Sequence, residues 1–387
     1  MTNSHPDKSD EINITPENIK ANGIDTLVIS LNGVWKNLAW FSYFSELKKE
    51  AQEKSLDVTG RITTEPSGKE WAFIMRPNGS QGFAWLLVGN DFTLRIGQWA
   101  ISKSRPNVMA EIRSEMLWRL GAQEACSFII GLLAEMGIDI EVVKPSRVDL
   151  CLDILFPKTA WEKNLIDYAV TKAFDRAVYL QNKRQLKGMS FGKGDILARL
   201  YDKKLEIKQK SHKMWMFDIW GIQEIPQDKI MLRIEFQMRR ELLIEIKINT
   251  LTDLFERQQD VWAYCTKRWL KFQDNIDLHR ENRNTMKWWQ VVQEGYSKAQ
   301  GANPGIREHI LKLDMERLAR QAYGILLSFM ACHLELTNKK SAIIEMIHIL
   351  NIFVNFLKEI GKNELEMNES IDERRTRFKR IAERTSE

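Results

Sequence analysis

Three stretches of this chain alternate apolar and polar residues in steps of two, the pattern of a strand that lays one face on a core. In RVDLCLDI, residues 147–154, Val148, Leu150, Leu152 and Ile154 point one way, and Arg147, Asp149, Cys151 and Asp153 the other. In DILARLYDK, residues 195–203, Ile196, Ala198 and Leu200 oppose Leu197, Arg199, Tyr201 and Lys203. In LRIEFQMRR, residues 232–240, Leu232, Ile234, Phe236 and Met238 oppose Arg233, Glu235, Gln237 and Arg239. If the three strands share one sheet and one core, their carboxylates, a tyrosine and several Arg and Lys gather on the opposite face.

That face has two readings, and alternation leaves both open. Asp149 and Glu235 are hard oxygen donors that suit Mg²⁺ or Mn²⁺, and such an ion polarises a phosphoryl oxygen. A tyrosine hydroxyl can form a covalent intermediate, with a neighbouring Lys or Arg favouring phenolate or offsetting phosphoryl charge. The bland reading is a solvated face whose opposite charges pair across strands, each pair contributing about 0.2–1 kcal/mol.

The order RVDLCLD, a turn with Gly192 and Gly194, RLYDKKLE and then RIEFQMRR resembles the Rep_trans replication initiation family. That family includes initiators of rolling-circle plasmids and MobT-type relaxases of conjugative elements. The resemblance spans about residues 24–290 and is concentrated in the three strands. It implies a metal-dependent DNA nickase and strand transferase in which the tyrosine of a YxKxxE-like element becomes linked to a 5′ phosphate. Carried over by position, Tyr201 is the nucleophile, with Lys203 and Arg199 near the phosphate. Asp149 and Glu235 are metal ligands, with Asp153 and Glu206 as further acidic positions. Arg147, Arg233, Arg239 and Lys204 are candidates for the DNA backbone. The implied cofactor is Mg²⁺ or Mn²⁺, and the implied partner is DNA at an origin or nick site, partly single-stranded. A homodimer is compatible with the resemblance, and no membrane is involved. The alternative is a non-catalytic DNA-binding protein using the same basic sheet face.

Smaller signals bear on the same choice. FGKGD at 191–195 lacks the third glycine of a dinucleotide loop, because Leu197 stands there, and reads as a hairpin turn. The six histidines form no HxH pair. Tyr179 is the rival to Tyr201, with a packed place near a strand edge as its bland role. The aromatic insertion at 211–226 and the Lys287-Trp288-Trp289 run read equally as base-stacking surfaces or as packing.

A length of 387 residues admits two or three domains, and a net charge of +5 permits a local nucleic-acid surface without requiring one. Cys126, Cys151, Cys265 and Cys332 are scattered, which fits a reducing cytoplasm and excludes a zinc ribbon. No apolar signal segment opens the chain, and the apolar run at 343–357 is too short and too interrupted to span a bilayer.

The expected fold is α+β, with antiparallel sheets and packed helices in two similar halves plus a C-terminal helical region. The expected divisions are a disordered tail over 1–20, an N-terminal half over 21–140, a catalytic half over 141–300 and helices over 301–387. Within the first half we expect a strand at 24–31, a helix at 41–54, a three-strand meander to about residue 99, and one long helix from Ala110 to Met136. Within the second, we expect a strand at 146–156, a helix near 160–174, strands near 188–192, 196–203 and 231–238, and a helix over 250–273. Helices at 305–335 and 339–360 and a charge-dense tail complete the reading.

Overall fold

The computed structural model describes residues 12–296, apart from 64–67, 69, 102–104, 163–164, 182–184 and 275–282, together with positions 351 and 355. The chain divides into two compact units, one of residues 1–211 and 217–303 and the other of 212–216 and 304–387. The helices and tail expected beyond residue 301 lie outside the described residues, apart from those two positions.

The first half runs β1 (Ile19–Trp35), α1 (Ala39–Lys54), β2 (Val58–Thr63), β3 (Glu70–Met75), β4 (Trp85–Val88), β5 (Phe92–Ile96), β6 (Val108–Ile112), α2 (Ser114–Leu120) and α3 (Ala122–Glu135). The second opens with β7 (Ile138–Pro157), α4 (Lys158–Glu162), β8 (Ala169–Thr171), β9 (Arg176–Gln181), β10 (Gln185–Phe191), β11 (Ile196–Asp202) and α5 (Lys203–Glu206). It continues through α6 (Met216–Ile219), β12 (Lys229–Arg239), α7 (Arg240–Glu245), α8 (Leu251–Glu256), α9 (Gln258–Ala263), β13 (Leu270–Phe272) and α10 (Lys287–Glu294).

Eleven strands form one antiparallel sheet in the order β2-β3-β4-β5-β6-β1-β7-β12-β11-β10-β9, and β8 pairs with β13 apart from it. In each half a long first strand leads into a meander whose last strand returns to pair with it: β6 with β1, and β12 with β7. The two first strands then pair with each other, from Ile19 opposite Ile154 to Trp35 opposite Ile138. The sheet is thus continuous across the middle of the chain, and the division expected near residue 140 falls inside β7.

The apolar residues of the three alternating stretches are all buried on one core: Val148, Leu150, Leu152 and Ile154 with Ile196, Ala198, Leu200, Leu232, Ile234, Phe236 and Met238. Each large aliphatic or aromatic side chain placed there contributes about 1.5–3 kcal/mol. Phe44 of α1 packs on Phe73 and Trp85 of the first half. Trp262 and Trp269, from α9 and the π-helical turn Tyr264–Trp269, pack edge-on against Phe236 of the second.

Several expected elements are different. Residues 108–112 extend the meander as β6, so the long helix starting at Ala110 does not form. Its remainder is broken into α2 and α3 at Gly121, whose φ of 82° is open to glycine and strained for other residues. The helix near 160–174 shrinks to α4 and a 3₁₀ turn before β8. The helix over 250–273 becomes α8, α9 and a π turn ending in β13. Residues 12–20, expected to be disordered, hold a 3₁₀ turn capped by Thr15 and the start of β1. FGKGD is the β10–β11 hairpin, with Gly192 and Gly194 at positive φ.

Candidate nuclease site

The polar sides of β7, β12 and β11 share one face because their registers align. Opposite pairs are Asp153 with Arg233, Cys151 with Glu235, and Asp149 with Gln237. On the other flank of β12, Arg233 pairs with Tyr201 and Glu235 with Arg199. This face is not solvated. Asp153 and Arg233 are 0% exposed, Asp149 2%, Lys203 4%, Gln237 5% and Glu235 6%. The cover comes from segments distant in sequence, because the Trp118 indole of α2 donates to Asp25 at 3.3 Å and Trp220 donates to Asp153 at 2.8 Å.

Arg233 ties the deep end together. Its Nε and Nη2 donate to the two oxygens of Asp153 at 2.6 and 2.7 Å, and its Nη1 donates to Asp25 at 2.7 Å. A guanidinium enclosed by two carboxylates holds its proton well above the ordinary arginine range, despite burial. Arg233 was expected at the DNA backbone, but its burial and these bonds leave it unable to reach a phosphate. Asp153, expected as a metal ligand, has both oxygens taken by Arg233 and Trp220.

Nearer the middle of the face, Arg147 grips Asp149 through Nε, at 2.8 Å, and Nη2. Arg199 donates to Glu235 Oε1 at 2.9 Å and to Gln237 Oε1 at 3.1 Å. Burial, followed by the neighbouring charge of Glu235, lifts the Asp149 carboxyl to about 7, although the Arg147 hydrogen bond pulls it down. The arginines of this face are therefore spent on carboxylates, so the face is self-neutralised rather than basic. The exposed cations at its rim are Lys204 and Arg239.

Among the described residues no three His, Cys, Asp or Glu side chains converge as a ligand group. Asp149 and Glu235 stand one diagonal step apart on the same face of β7 and β12, with Asp149 opposite Gln237. Two neighbouring hard carboxylates suit an ion such as Mg²⁺, which takes one or two carboxylates and completes its shell with water and substrate phosphate. In kind this pair suits a divalent cation, but, as at Asp153, every oxygen is engaged, by Arg147 at Asp149 and by Arg199 and Tyr201 at Glu235, so an ion would have to displace those partners.

Tyr201 donates its hydroxyl to the second oxygen of Glu235, Oε2, at 3.0 Å. The residue is half-buried; burial, then the charge of Glu235, raise its pKa well above that of free tyrosine. Lys203 was expected beside Tyr201 on the strand. Instead Asp202 ends β11 as an N-cap, accepting the Leu205 amide at 3.1 Å, and Lys203 begins a helical turn. Its ammonium lies 5.7 Å from the centre of the Tyr201 ring and bonds Glu206 at 2.7 Å. The tyrosine, lysine and glutamate of the YxKxxE-like element are thereby brought together, the lysine against the ring rather than the hydroxyl.

Tyr179 stands on the same face. Gly188 of β10 is the register partner of both Tyr201 and Tyr179. Tyr179, expected to be packed, is 54% exposed, and its hydroxyl meets that of Ser190 at 3.1 Å. Asp25, Trp118, Trp220 and Gln237 are parts of the site that the strand alternation did not assign a role. A lone aspartate in the apolar strand GIDTLVISL was the available signal, since a buried charge requires a partner. Trp288 and Trp289 are core residues, with Trp289 donating to the Thr266 carbonyl at 3.0 Å, so neither is a base-stacking surface.

No family model and no curated protein matches the chain. Among solved structures it is similar to a rolling circle replication initiator protein from Geobacillus stearothermophilus, with 12% identity and a TM-score of 0.40 over 72% of this chain and 98% of that one. Likeness of that degree does not carry an activity from one chain to the other.

Proposed function

We propose that this chain is a site-specific DNA nickase and strand transferase of the kind that initiates rolling-circle replication or conjugative transfer, with Tyr201 as its nucleophile. The observation that supports it most is the Tyr201–Glu235–Arg199 constellation: hydroxyl, carboxylate and guanidinium joined by bonds of 3.0 and 2.9 Å across two adjacent strands. The resemblance of RVDLCLD, RLYDKKLE and RIEFQMRR to the Rep_trans family supports the same reading.

The raised pKa keeps Tyr201 a phenol, so its attack is coupled to proton transfer rather than made by a standing phenolate. Glu235 Oε2 accepts the proton as Tyr201 Oη bonds phosphorus. The bond from phosphorus to the 3′ oxygen breaks, leaving a 5′-phosphotyrosine and a 3′ oxygen that takes a proton from solvent. Arg199 sits where it can offset charge on the phosphoryl oxygens once phosphate competes with Glu235 for it. Asp149 and Glu235 would hold a Mg²⁺ or Mn²⁺ ion, which when bound polarises a phosphoryl oxygen.

The test incubates supercoiled plasmid carrying the protein's own locus with wild type and with Tyr201→Phe, each with Mg²⁺ or Mn²⁺. Wild type should give nicked circles with protein on the 5′ end, and the variant should bind DNA without nicking. Equal nicking by the two would reject Tyr201 as nucleophile. Tight binding with no nicking by either would favour the non-catalytic DNA-binding alternative.

A further inference from the structure

We propose that Tyr179 is a second covalent acceptor, so that one chain can hold two DNA 5′ ends at once. The inference rests on the nickase reading and extends it from one transfer to a pair.

The geometry that points to it is the row Tyr201, Gly188, Tyr179 across β11, β10 and β9. Strands lie about 4.8 Å apart, so the two tyrosine backbones stand about twice that distance from each other. Gly188 contributes no side chain to the space between them. One register step along, Arg199 pairs with both Ser190 and Glu235. Ser190 is the hydroxyl partner of Tyr179, and Glu235 accepts the hydroxyl of Tyr201. A single guanidinium is therefore flanked by the partners of both phenols.

The two phenols are differently placed for reaction. Tyr201 has its hydroxyl on the buried Glu235 carboxylate, whereas Tyr179 is open to an incoming strand. Once Tyr201 is esterified it cannot attack again, and a second cleavage requires another nucleophile. Tyr179 Oη then bonds the second phosphorus and loses its proton through Ser190 Oγ to solvent. The bond to that phosphorus from its 3′ oxygen breaks. The released 3′ hydroxyl attacks the phosphotyrosine at Tyr201, forming a new phosphodiester and restoring the Tyr201 phenol. No oxidant or energy source is consumed.

The experiment uses the full chain with single-stranded oligonucleotides tiling its own locus, in Mg²⁺ or Mn²⁺. Denaturing mass spectrometry of the intact chain is followed by mapping of phosphotyrosine peptides. Expected are wild-type chains carrying two oligonucleotides with adducts at both tyrosines, adducts only at Tyr201 in Tyr179→Phe, and none in Tyr201→Phe, because the second cleavage follows the first. Adducts confined to Tyr201 in wild type would overturn the second acceptor and leave the nickase reading standing. Absence of any adduct would overturn both. Both substitutions remove only a hydroxyl, and circular dichroism of each variant guards against a folding defect.

Discussion

Asp149 is held where its charge is least welcome, and this sets a pH dependence. Its carboxyl titrates near 7 in the fold against 3.8 ordinarily, because burial and the charge of Glu235 outweigh the pull of Arg147. Between those values the folded chain binds a proton that the unfolded chain has released. Stability contributed by that proton is complete at the acid end of the window and is lost as pH rises towards 7. With chelator present, urea midpoints should therefore fall between about pH 4 and pH 7 through this residue, and Asp149→Asn should flatten that part of the profile. If the variant retained the full slope, the dominance of burial at Asp149 would be wrong. The roles of individual residues were legible in the sequence only in part. Alternation placed Asp149, Tyr201, Arg233 and Glu235 on one face, but no strand pattern encodes the indoles of Trp118 and Trp220 that meet Asp25 and Asp153 at its deep end.

At the scale of elements, period-two alternation located β7, β11 and β12, because each carries three or four repeats of the pattern against one core. It failed at β6, where VMAEI is short and runs into the helical spacing of α2, and at β9, whose neighbours obscure the strand boundary. Lys203 was misplaced because Asp202 caps a helix one residue earlier than the alternation suggests. The pairing of β10 with β11 makes its own demand at Gly188. A Cβ there would lie 2.9 Å from the Leu200 carbonyl oxygen and 3.0 Å from the Tyr201 Cβ, so the strands would have to separate. Gly188→Ala should cost about 1–3 kcal/mol of stability and reduce nicking by shifting Tyr201 away from Glu235. A thermal melt beside the plasmid assay checks this, and an unchanged melting temperature would mean the strands part without strain.

The larger unit is built around the seam between β1 and β7, which makes one sheet of two similar meanders. Because the sheet is continuous through this seam and both halves lie in one compact unit, the halves should unfold together rather than in sequence. The seam can be struck far from the site at Gly33, which sits at a register shift of β1, with its amide donating to Asn107 Oδ1 at 2.8 Å. A Cβ at that position would collide with the carbonyl oxygen of Asp139 on β7. Gly33→Ala should therefore force the two first strands apart locally, at a cost of about 1–3 kcal/mol. Tryptophan emission would follow the molecule broadly, and hydrogen exchange would report β5 and β12 as one strand from each half. In the variant the denaturant midpoint should fall while both strands lose protection together. Loss confined to β5 with β12 unaffected would show that the meanders are independently stable, and that the seam joins two domains rather than completing one.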